Sequence, residues 1–164
     1  MEGIARALGA LTAMPLRTCL DRLDRLAAWL QSPLLLAVRL YWGWSFFQTG
    51  RGKLLHLGRT AEYFGSLGIP LPKLNAALAG GTECLGGLLL IAGLFSRVAS
   101  LPLVFCLSIA YLTAEREALQ SFFRDPDKFT GATPFLFLFA VLVVLAFGPG
   151  RFSLDHLRAR RGAA

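Results

Sequence analysis

Between Pro33 and Phe147 the sequence holds four apolar blocks set apart by polar or turn-forming stretches, and no feature constrains the fold more. Lipid offers a chain no hydrogen-bonding partner, so a segment that crosses a bilayer must bond its own backbone as a helix or close into a barrel. The blocks are continuously apolar rather than alternating, which selects helices. The first runs from about Pro33 to Gly50, with Ser32 suited to cap it and Pro33 to open it. The second runs from about Leu74 to Phe95, the third from about Arg97 to Ala114, and the fourth from about Thr133 to Phe147, where Gly148-Pro149-Gly150 stops it. A crossing takes about 20 apolar residues, so the fourth block is short and is expected to borrow Phe129 to Ala132 or Phe152. Composition agrees: 55% of residues are hydrophobic, 16% are charged and the mean hydropathy is +0.56. A soluble domain averages about 25% charged residues. The expected fold class is an all-α membrane protein, a four-transmembrane-helix bundle.

A different pattern precedes the blocks. From Leu16 to Leu30 the apolar residues Leu16, Cys19, Leu20, Leu23, Leu26, Ala27 and Leu30 recur at helical spacing, with Arg17, Asp21, Arg22, Asp24 and Arg25 opposite. This predicts an N-terminal amphipathic interfacial helix lying in the headgroup plane, with a soluble docking helix as the alternative. The organisation expected is therefore 1–32 amphipathic segment, 33–157 transmembrane domain and 158–164 basic tail. The 51–73 connection, with two prolines, reads as an interfacial or partly re-entrant cap. The 115–130 connection is the most polar stretch and reads as a solvated loop.

The net charge of +7 fits membrane headgroups rather than nucleic acid, because the basic residues flank apolar blocks. Four spans place both termini on one side. That side holds Arg6, Arg17, Arg22, Arg25, Arg97, Arg151, Arg158, Arg160 and Arg161, against Arg51, Lys53, Arg59, Lys73, Arg116, Arg124 and Lys128 on the other. The excess favours cytoplasmic termini in a multi-pass inner-membrane protein. No convincing signal peptide is expected, since Arg6 interrupts the first apolar residues.

Two charges fall inside the blocks. Arg39 is about 9 Å into the first and Glu83 near the middle of the second, about 18 Å deep by helix rise. An ionisable residue at such depth costs about 2.5–3.5 kcal/mol on insertion scales and normally faces protein or water. Arg39, Gly43, Phe46, Gly50 and Lys53 share one helical face, and Ala76, Gly80, Glu83 and Gly87 share another. Small residues let helices approach closely, so the two faces are expected to pack together and leave Arg39 and Glu83 as a buried polar pair. The pair reads either as a lock between helices or as a site for a polar head such as a quinone carbonyl or for proton movement. Trp42, Trp44, Phe46 and Phe47 could then supply an aromatic wall, although aromatics near a boundary commonly serve as belt residues.

Other chemistry is sparse. His56 and His156 lie outside the blocks, so no histidine pair could hold a haem across the bilayer. Cys19, Cys84 and Cys106 form no CxxC motif, and no metal site is expected. The chain has no self-sufficient redox centre in its sequence and is expected not to act as an enzyme alone.

Several motifs converge in order. RLYWGWSFFQTGRGKL, YFGSLGIPLP, ECLGGLLLIAGLFSR and GPGRFSLDHL together resemble the DoxX family of small four-helix membrane proteins, over about Pro33 to Leu157. By that resemblance Arg39, Gly43, Gly50 and Lys53 match the family's first-span pattern, and Glu83, Gly86 and Gly87 its second. Arg97 and the segment from Gly148 to Asp155 match the later pattern. The resemblance implies residence in a prokaryotic membrane and a link to redox processes, including quinone-reducing complexes. The amphipathic extension departs from the plain pattern. The function expected is an accessory subunit of a larger membrane electron-transfer complex, respiratory or photosynthetic. Its partners would be lipids and other membrane subunits, with no cofactor of its own beyond quinone, lipid or pigment at the helix faces. The alternatives are a quinone-interacting oxidoreductase subunit using Arg39 and Glu83, and a small-molecule or proton transporter.

Overall fold

A computed structural model of the chain describes the backbone of residues 2–161 and the side chains of residues 20–161. The regular structure of the described residues is all helix, with no strand. The longest helix, α1, runs from Glu2 to Leu55 without interruption. At about 1.5 Å per residue it is about 80 Å long. The amphipathic segment and the first apolar block are therefore one helix, not an interfacial helix followed by a separate span. Pro33 sits in its interior rather than at its start, and Ser32 caps nothing there: its hydroxyl accepts from the backbone N–H of Arg151 at 3.4 Å. Side chains of Leu16, Arg17 and Cys19 lie outside the described residues. From Leu20 to Gln31 every side chain is exposed, so this part of α1 stands clear of the bundle.

After a break at His56, α2 covers Leu57–Ser66, packs on the next helix and buries no residue. Most of the expected 51–73 cap is thus helical; only 67–71 is irregular. Leu71 takes a left-handed conformation (φ 45°) and hands the chain to Pro72, the first residue of α3, Pro72–Ala92. Gly93 (φ 64°) ends α3, with its N–H bonded to Leu90 O and that of Leu94 bonded to Leu89 O. This left-handed glycine closes the helix and lets the chain reverse within three residues. The return helix α4 is Ser96–Thr113, so the tight antiparallel turn expected around Ser96-Arg97 is present. Short α5, Arg116–Gln120, and α6, Pro126–Gly131, replace the expected open loop. Tyr111 of α4 anchors α6, stacking on the Phe129 ring at 4.7 Å and donating its hydroxyl to Phe129 O at 3.0 Å. Helix α7 is Pro134–Phe147, and α8, Leu154–Arg161, follows the Gly148-Pro149-Gly150 stop.

Helices α3 and α4 are long and apolar enough to cross a membrane, and α7 is apolar but shorter. The apolar part of α1 falls short of that standard, since Arg39 and Gln48 dilute it. The core joins four helices: Phe46 from α1, Leu90 from α3, Leu103 and Leu107 from α4, and Val141 and Val144 from α7. Outward faces carry large exposed side chains such as Leu85, Leu88, Leu101, Phe105 and Phe139. A water-soluble protein could not carry so continuous an apolar exterior, whereas lipid accepts it.

Candidate functional site

The α1–α3 interface is built from glycines, and its closeness fixes everything else. The helices run antiparallel, with Gly43 opposite Gly87 and Gly50 opposite Gly80. A Cβ on Gly50 would lie 2.5 Å from Cys84 N and 2.6 Å from Gly80 O, and one on Gly87 would lie 2.5 Å from Gly43 O. The opposing atoms are backbone, which cannot rotate aside. Gly86 serves a different contact: a Cβ there would meet the Leu103 side chain of α4 at 2.9 Å. The two faces read from the sequence meet here, with Ala76, Gly80, Glu83 and Gly87 all buried.

Arg39 and Glu83, however, are not partners. Ten residues separate Glu83 from Gly93, which contacts Arg39; that is about 15 Å of helix rise. Glu83 instead accepts from Lys53 Nζ through both carboxylate oxygens, each at 2.5 Å. The carboxylate is turned inward, with 8% of the side chain exposed, while Lys53 reaches it from the rim at 30%. Lys53 lies one turn beyond Gly50, so the glycine contact that brings the helices together also brings the ammonium to the carboxylate. A buried ion pair returns its desolvation cost only when its hydrogen bonds are well made, and here both oxygens are engaged.

Arg39 is 1% exposed and belongs to a second polar centre at the opposite end of the interface. Its Nη2 donates to Phe152 O at 2.5 Å, across 113 residues of sequence. Its Nε and Nη1 have no hydrogen-bond partner among the described residues. Asp155 lies near Arg39 without forming an ion pair with it, and holds the α3–α4 turn: its oxygens accept from Phe95 N at 2.8 Å and Ser96 N at 3.0 Å. The backbone N–H of Asp155 returns a bond to Gly93 O at 3.0 Å. Residues 148–155 thus form a clasp over the middle of α1, the end of α3 and the start of α4. Arg97 completes it, with Nη2 donating to Ala146 O at 3.3 Å beside Gly148. A pattern of charged side chains does not point to Phe152 and Ser153, because Arg39 is met by a backbone carbonyl, which no side-chain pattern reports. Only the aspartate next to a glycine-proline stop hints at the clasp.

The aromatic residues do not form one wall. Trp42 and Phe46 turn toward α7, each packing edge-on against Phe137 with ring centres 4.9 Å apart. Trp44, exposed, pairs with Phe47 at 5.6 Å on another side of α1. Cys84 donates weakly to Phe47 O at 3.6 Å, and both Cys84 and Cys106 are free thiols. Among the described residues no three His, Cys, Asp or Glu side chains gather as metal ligands.

Comparison with known proteins fits this helical frame. The DoxX family model matches residues 34–116, from α1 to the start of α5, leaving α7 and the clasp beyond it. An uncharacterized membrane protein of Mycobacterium tuberculosis is 31% identical over 139 residues, covering 80% of this chain and 85% of that protein. An uncharacterized protein of Haemophilus influenzae is 26% identical over 127 residues, 75% of this chain and 82% of that one. No solved structure is significantly similar. With half of its length on the family model and a relative matched nearly end to end, the chain is a membrane protein that belongs to the DoxX family.

Proposed function

We propose that the chain crosses the inner membrane four times, through α1 from about Pro33, α3, α4 and α7, with both termini cytoplasmic, and serves as an accessory subunit of a larger membrane electron-transfer assembly. The observation that carries this reading is how the two intramembrane charges are spent. Glu83 is held by Lys53 and Arg39 by the clasp, so each ties helices of the same chain together. Charges used in this way make a rigid scaffold. The exposed apolar faces of α3, α4 and α7 then suit partner helices, lipid, or quinone and pigment tails, and the free stripe Leu20, Leu23, Leu26 and Leu30 suits a partner at the membrane surface. The electron-transfer role follows the family resemblance. Purification from membranes in mild detergent tests it: redox-carrying subunits should accompany the chain in fixed ratio. A chain that migrates alone after in-membrane cross-linking refutes the accessory role.

A second reading has one observation in its favour. Lys53 is part-exposed beside a carboxylate, so its ammonium could donate to a quinone carbonyl arriving from the lipid while Glu83 handles the proton. Quinone that co-purifies with the wild type and is lost with Glu83→Gln, without loss of assembly, would select this reading over the first.

A further inference from the structure

Where the clasp meets α1, α4 and α7, an open groove of about 700 Å³ lies at the end of the apolar spans. Its polar side chains include Arg97 and Arg151, both exposed. Neither forms an ion pair with a carboxylate among the described residues. The one carboxylate in the lining, Asp155, already accepts from two backbone N–H groups and faces the charge of Arg39. The groove therefore presents a surplus of positive charge, and Gln31 adds neutral hydrogen-bonding capacity beside it. Its other wall is Val98, in the first turn of α4, and Phe147, the last residue of α7, 64% and 62% exposed.

We propose that this groove binds the phosphate of an anionic phospholipid, with Arg97 and Arg151 on the phosphodiester and Val98 and Phe147 against the first carbons of an acyl chain. Arginine matches phosphate oxygens with paired donors, and two unpaired guanidinium groups lining one groove attract an anionic headgroup more than either would alone. The groove sets cations beside bare apolar surface at the ends of α4 and α7, the pairing a phospholipid presents at the headgroup boundary. A soluble phosphate compound would leave the Val98–Phe147 wall unused. This site does not depend on the electron-transfer role proposed above.

The test uses the full-length protein in nanodiscs made from equal parts phosphatidylglycerol and phosphatidylcholine, followed by native mass spectrometry of retained lipid. Phosphatidylglycerol should be retained in preference. Arg151→Gln should lower that preference about fivefold, and Arg97→Gln with Arg151→Gln about thirtyfold. Arg116→Gln with Arg124→Gln, a basic pair in the 115–130 connection, should leave it unchanged. Arg97 also bonds Ala146 O, so Arg151→Gln decides the matter if the double variant misfolds, since the Arg151 side chain makes no hydrogen bond among the described residues. Equal loss in the control pair, or no headgroup preference in the wild type, overturns the proposal. Displacement of the retained lipid by excess inorganic phosphate would make this a small-anion site and overturn it equally.

Discussion

Replacing Gly50 by alanine isolates what the α1–α3 contact contributes, because the same change can be made two residues away where nothing opposes it. A Cβ on Gly50 meets Cys84 N at 2.5 Å and Gly80 O at 2.6 Å, whereas one on Gly52 has no neighbour within 4 Å. Ordinary contact is about 3.5–4.0 Å, so Gly50→Ala must push the helices apart by about 1 Å along that line. Overpacking of this kind costs about 1–3 kcal/mol, and the upper half of that range is expected because both obstacles are backbone atoms. Both substitutions also gain about 0.5–1 kcal/mol from alanine's preference for helix. That gain cancels when the variants are compared, leaving Gly50→Ala less stable than Gly52→Ala by about 2–3 kcal/mol. Gly81→Ala, equally open on α3, should behave like Gly52→Ala. Unfolding by rising sodium dodecyl sulfate in mixed micelles, followed by tryptophan fluorescence, reads the difference. If Gly50→Ala and Gly52→Ala agree within about 0.5 kcal/mol, the glycine faces do not set the helix separation and the reasoning is refuted.

The ion pair should show strong coupling. Lys53→Met alone leaves the buried Glu83 carboxylate without its partner and should cost about 3–5 kcal/mol. Glu83→Leu, which leaves the part-exposed Lys53 free to turn outward, should cost less, and the double variant should recover most of the larger loss in the same micelle assay. Gly93→Ala faces two penalties, a left-handed backbone worth about 1–2 kcal/mol and a Cβ that would collide with the Arg39 guanidinium. It should be worse tolerated than Gly68→Ala, which has a similar φ and open space around it, and thermal melting in detergent ranks the two. Asp155→Asn keeps an acceptor for the α4 cap but removes the charge facing Arg39. Asp155→Ala removes both and should cost about a further 1 kcal/mol, measured as faster amide exchange at Phe95 and Ser96.

Periodicity made the glycine faces readable, since 3.6 residues per turn places Gly43, Gly50 and Lys53 on one stripe and Gly80, Glu83 and Gly87 on another. It could not assign partners along those stripes. Lys53 stood on the correct face all along, yet the depth of Arg39 drew attention to the only other charge inside a block. Depth was the better guide: the 9 Å mismatch between Arg39 and Glu83 is what the structure resolves by giving each a nearer partner. The helix boundary at Ser32-Pro33 was misread for a related reason. A proline that suits a helix start also sits within a long helix, where it gives up one backbone bond, and sequence alone does not distinguish the two. The glycines and prolines of YFGSLGIPLP hide α2 from a sequence reading, although the first four residues of that stretch are helical and the irregular part is confined to Leu67–Leu71.

The clasp also bears on how such a chain is made. Phe152 and Asp155 leave the ribosome long after Arg39, separated from it by more than a hundred residues, yet they supply the carbonyl and the opposing charge that Arg39 uses. If α1 spans the bilayer as proposed, its apolar part would enter carrying a cation whose partners are still to be made, held near the headgroups by its long side chain. The turn between α3 and α4 likewise waits for Asp155 to fill its backbone bonds. With four spans, the early helices would gain the partners of Arg39 and of the α3–α4 turn only after residues 152–155 have been made, later than the last apolar helix.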